Sequence, residues 1–68
     1  TIMHDRIEEI ITQVGIPPVR MNTEEKIHAV HMLSEDGVLT MKWAVAEAAE
    51  MLGISVPTFY RYMKKEIG

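Results

Sequence analysis

Ser55, Pro57, Thr58 and Arg61 lie close together near the end of this chain, with Tyr60, Lys64 and Lys65 interleaved or just behind. Their chemistry is recognition rather than bond making. An Arg guanidinium can bond guanine in bidentate fashion, and a Thr can meet a base edge or a thymine methyl. Lys and Tyr side chains commonly contact phosphate, which positions a helix without reading sequence. We therefore expect Ser55, Pro57, Thr58 and Arg61 to face a DNA groove, with Arg61 the best candidate for a base contact. Tyr60, Lys64 and Lys65 are expected at phosphate. The competing role for Arg61 is a solvated charge or an ion pair with Glu66; for the two lysines it is a solvated helix end. Thr40 and Lys42, upstream, are candidates to meet a phosphate through the positive end of the preceding helix. Capping is the competing role for Thr40.

Such a set works only if a helix presents it. Met41, Val45, Ala48, Ala49 and Leu52 are spaced four, three, one and three, which makes one apolar stripe on a helix over 41–52. Ala48 and Ala49 are small enough to let a second helix cross closely. Gly53 follows as a left-handed stop, Ile54 plugs the turn, and Ser55 caps the next helix. Pro57 is tolerated in a first turn that has no intrahelical donor to lose. In the last helix, about 56–66, Phe59, Tyr62 and Met63 share one side and Pro57, Arg61 and Lys64 the other. One face packs and one is free, in the order expected of a helix-turn-helix.

The rest of the chain reads as scaffold. Met3, Ile7, Ile10, Ile11 and Val14 line one side of a first helix over 2–14, and the Met3–Val14 steps are heptad-like. That seam suits either the domain's own core or a second subunit. Gly15 ends the helix, and Pro17-Pro18 hold an extended connector. Asn22 with Glu25 makes a capping-box start for a second helix to about Ser34, with Ile27, Val30 and Leu33 as its stripe. Glu35-Asp36-Gly37 reads as a turn, Val38-Leu39 as a connector or short extended piece, and Thr40 as the cap of the third helix. Trp43 is expected either to cover the second helix or to join a dimer contact, with packing inside the chain favoured. The predicted fold is all-α: a small four-helix domain spanning 1–68, with the helix-turn-helix at 41–66.

Composition narrows the function classes. With 68 residues, 47% of them hydrophobic, one small ordered domain is the upper bound. There is no Cys, hence neither a disulfide framework nor a thiolate metal site. His28 and His31 are three apart and could share a metal, but no third clear ligand joins them, so neither metal nor cofactor is expected. No phosphate loop, nucleophile elbow or carboxylate pair points to an enzyme. No apolar run approaches the ~20 residues of a membrane span. The formal net charge is −3, but it is unevenly placed. Residues 1–54 hold four Lys and Arg against nine Asp and Glu, while residues 55–68 hold three against one. Local sign governs a contact surface more than the total.

The upstream helix and the final run together resemble the C-terminal domain of YheO-like regulators, bacterial transcription factors of the D-arginine-utilisation-repressor type. The resemblance covers roughly residues 16–65. It is carried by Pro18 to Met21, Lys26-Ile27 through Val30 and Leu33, the acidic turn ending in Gly37, Met41-Lys42 with Ala44-Val45, Ala49, Leu52-Gly53-Ile54-Ser55, Thr58 and Tyr60-Arg61-Tyr62. Trp43 stands where that pattern has a small residue, and Val56 where a basic or polar one is common. The resemblance implies double-stranded operator DNA as partner, a homodimer, a cytoplasmic location and a PAS-like sensory domain upstream. A small-molecule effector would act only through that missing domain. The chain begins at Thr1 rather than Met, so we expect an excised piece of a longer regulator. The alternative is a helical dimerisation or protein-interaction module that does not meet DNA. It is motivated by the acidic first 54 residues and the Met3–Val14 seam. A third reading is an architectural DNA binder with little sequence preference.

Overall fold

The computed structural model describes residues 1–66. Four α-helices follow in chain order: α1 (Ile2–Thr12), α2 (Thr23–Asp36), α3 (Ala44–Leu52) and α4 (Val56–Lys64). Single 3-10 turns at Pro18–Arg20 and Val38–Thr40 join the first three. No strand occurs among the described residues. The all-α, four-helix expectation is met, and the boundaries differ in instructive places.

α1 is shorter than its apolar stripe. It stops at Thr12, and Gln13 and Val14 lie in a turn before Gly15. Ile7, Ile10 and Ile11 are buried against α2 and α3, so this seam packs into its own domain. α2 starts as expected: Asn22 Oδ1 accepts from the Glu25 amide, and Glu25 Oε1 accepts from the Asn22 amide, both at 2.8 Å. It runs two residues past Ser34 to Asp36, with Gly37 as its left-handed end (φ 90°). The helix continues because Asp36 is held from outside it. Arg6 on α1 forms a two-pronged ion pair with the Asp36 carboxylate and reaches Glu9 at 2.8 Å. The hydrogen bond from Arg6 keeps the Asp36 carboxyl below its ordinary range.

Val38-Leu39 is not extended. It lies in a 3-10 turn that drops Val38 into the core. Pro18 likewise opens a 3-10 turn instead of continuing an extended connector. The shared core joins Ile7, Ile10, Val30, Leu33, Val38, Ala44, Ala48, Leu52 and Phe59. Ala48 and Ala49 are buried at the crossing of α3, as their size requires. Phe59 is the anchor of α4: it has no solvent exposure, and α4 packs on both α2 and α3. Burying a ring of that size removes 150–250 Å² or so from water, enough to fix which face of a nine-residue helix turns inward.

Candidate nucleic-acid interface

α3, the turn 53–55 and α4 form the helix-turn-helix. Gly53 adopts φ 71°, and the Ile54 amide donates back to the Ala49 carbonyl at 3.0 Å, closing the end of α3. Ile54 packs half-buried against the core, which sets the angle between the helices. Ser55 then caps α4: its Oγ accepts from the Thr58 amide at 3.2 Å.

With Phe59 inward and Tyr62 and Met63 packed beside it, Pro57, Tyr60, Arg61 and Lys64 turn to solvent. Thr58 is half-buried, and its hydroxyl is the centre of a small network. Ser55 Oγ donates to Thr58 Oγ1 at 2.9 Å, and Arg61 Nη2 donates to the same oxygen at 3.0 Å. Arg61 thus rests on a neutral hydroxyl. Among the described residues it has no carboxylate partner, Glu66 included. Its guanidinium keeps most of its five donors for something outside the chain. On the opposite side of the bundle, His31 Nε2 donates to the Tyr62 carbonyl at 3.1 Å, a contact that ties the end of α4 to α2. His31 is thereby occupied structurally, and His28 is exposed.

Three expected site residues sit differently from their sequence reading. Thr40 does not cap α3: it closes the 3-10 turn, where its hydroxyl donates to the Gly37 carbonyl at 2.8 Å. The helix begins only at Ala44, because residues 41–43 turn the chain instead of winding it. Thr40 and Lys42 therefore lie ahead of the positive end of α3, not in its first turn. Lys42 places its Nζ over the Trp43 ring, 5.1 Å from the centroid. Lys65 lies past the last turn, at a C-cap with extended backbone (φ −80°, ψ 143°), so α4 is two residues shorter than expected.

Trp43 departs furthest from expectation. It is not packed into the domain: 71% of its surface is exposed. It is also the only non-glycine residue with positive φ (71°) among the described residues. A left-handed backbone position favours glycine, so a β-carbon there costs conformational energy. With Met41, Val45, Val56 and Tyr60, Trp43 lines an open groove of about 310 Å³ between α3 and α4. Val56 lies on α4 and Trp43 at the N-cap of α3, and the two meet in this groove. Adjacency across two helices is not visible along a chain.

His4 on α1 bonds through Nδ1 to the Glu47 carboxylate on α3. That hydrogen bond, chiefly, raises the His4 pKa above its ordinary value of 6.5.

No helix is long and apolar enough to cross a membrane among the described residues. No cluster of three or more His, Cys, Asp or Glu suited to a metal occurs among them either. A family model described as an HTH domain matches residues 2–64. Searches of curated proteins and of solved structures gave no match.

Proposed function

This chain belongs to the HTH-domain family, and we propose that it is the sequence-specific DNA-binding part of a bacterial transcriptional regulator. In this reading α4 enters the major groove. Arg61 reads a base, Ser55, Pro57 and Thr58 contact base edges or the nearby backbone, and Tyr60, Lys64 and Lys65 hold phosphate. The observation that carries it is the free face of α4: Arg61 is exposed, without a carboxylate, and pre-set by the Ser55–Thr58 network. Arg61 is one of several cations without an ion pair among the described residues; what sets it apart is the Thr58 hydroxyl that holds its guanidinium on the outward face of α4.

Exposed apolar residues along the α1 seam, with a buried Arg61 face, would have favoured the protein-interaction alternative. Ile7 and Ile10 are buried and Arg61 is not. The resemblance to YheO-like regulators supports the finer assignment: a cytoplasmic regulator with a sensory domain upstream, acting as a homodimer. Few phosphate contacts are available per chain, which also favours two copies. Their α4 helices would lie about 34 Å apart, in successive major grooves.

The test is chemical-shift mapping with a duplex selected from a random pool by this chain. Perturbation centred on residues 55–65 is the expected result. Selection that yields no preferred sequence would turn the reading toward an architectural protein. Shifts that spare α4 would end it.

A further inference from the structure

We infer that the groove between α3 and α4, walled by Trp43 and Tyr60, seats the sugar–phosphate backbone of one DNA strand, with Lys42 at its rim meeting a phosphate. This rests on the proposed DNA reading of α4 and adds a second, sequence-independent contact to it.

Three independent observations converge. The first is composition of the surface. Of the large apolar side chains the fold leaves exposed, Met41, Trp43, Val56 and Tyr60 meet in this one groove, while Ile2 and Val19 lie apart. Deoxyribose is the apolar part of a nucleic-acid strand, and a phosphate flanks each sugar. An apolar trough with a cation on its lip matches that alternation. The second is continuity. Val56 and Tyr60 sit on α4 among Ser55, Pro57, Thr58 and Arg61, so a duplex in contact with the one set runs past the other. The nearest cation on this wall is Lys42, whose Nζ lies over the Trp43 ring 5.1 Å from its centroid, with no carboxylate paired to it among the described residues. The third is strain. An indole is held at φ 71°, a backbone position that favours glycine, yet 71% of the residue stays exposed. Strain at a side chain that stays largely in solvent is characteristic of residues kept for a contact made elsewhere. A protein partner would also accept an apolar trough, but neither the cation at its lip nor its junction with the polar α4 face calls for one.

The chain contains a single Trp, so its fluorescence reports on this groove alone. Added mixed-sequence DNA duplex at low salt should quench Trp43 emission and protect it from acrylamide. Trp43→Gly should weaken binding of that duplex by roughly three- to tenfold, toward the low end of the loss seen when an aromatic that stacks on a base is removed, because a sugar offers less surface than a base. It should do so with melting temperature unchanged or raised, because glycine accepts the left-handed backbone. Lys42→Ala should reduce the slope of log affinity against log salt by about 0.9, whereas Trp43→Gly should leave that slope intact. Unaltered emission on a duplex that still shifts residues 55–65 would overturn this inference and spare the DNA reading. Loss of a Trp43-dependent dimer in sedimentation, with DNA affinity falling only in step with it, would assign the groove to a second copy. A duplex that perturbs neither region would remove both.

Discussion

Arg6 and Arg61 carry the same charge and meet opposite treatment. Arg6, between α1 and α2, is held by Asp36 and Glu9. Arg61, on α4, is held by the Thr58 hydroxyl alone. The same contrast runs through their halves of the molecule. The α1–α2 half closes α2 with a reciprocal cap and a left-handed glycine, and it compensates Arg6 inside the fold, while Arg20 and Lys26 have no ion pair among the described residues. The α3–α4 half begins a helix at an uncapped, strained tryptophan and leaves its cations facing water. A region that only needs to be stable satisfies its own groups. A region that must bind keeps some unsatisfied until the partner arrives, and the first half supplies the stability that permits this.

The largest expected effect lies where the halves join. Phe59→Ala removes the buried ring that clamps α4 to α2 and α3, and should cost about 3–5 kcal/mol of stability, read by urea denaturation. A small loss would mean that α4 is not anchored by its core face. Next, Arg61→Ala should lose about 1–3 kcal/mol of specific DNA binding and relax one base position, with stability unchanged. Operator selection on the variant reads this directly. An unchanged specificity profile would make Arg61 as structural as Arg6.

The two caps sharpen the contrast at a smaller scale. Asn22→Ala and Ser55→Ala should each cost about 1 kcal/mol of stability, but only Ser55→Ala should also weaken DNA binding, since it dismantles the support of Arg61 through Thr58. Equal DNA affinities for the two variants would break the distinction. The smallest effect is the pH dependence at the α1–α3 contact. The His4 pKa is raised in the folded state, so its contribution is full below its ordinary value and is lost as pH rises through the folded value. The melting temperature of the wild-type chain should fall slightly from about pH 6 to pH 8. His4→Gln should flatten that fall, and an unflattened profile would place the titration elsewhere.

Four helices, the Asn22–Glu25 cap, the Gly37 and Gly53 stops and the outward face of α4 were all legible in residue order. Each is a local matter: periodicity decides which side of a helix is apolar, and capping chemistry acts within three or four residues. The start of α3 was not legible in this way. The stripe from Met41 to Leu52 fits a helix throughout, but Val38 enters the core in a 3-10 turn, and the chain must then reverse before α3 can lie against α1. That reversal falls on Trp43, and no local rule puts a tryptophan at positive φ.

Sequence alone determined the all-α class, the helix-turn-helix and the side of α4 that carries Arg61, because these follow from spacing and from single side chains acting on nearby backbone. Only the tertiary structure decided that Arg6 is neutralised and Arg61 is not, that His31 serves the end of α4, and that Trp43, Val56 and Tyr60 share one groove. Those outcomes depend on which residues distant in the chain become neighbours, and that is settled by the packing of all four helices around Phe59 and Leu33 at once.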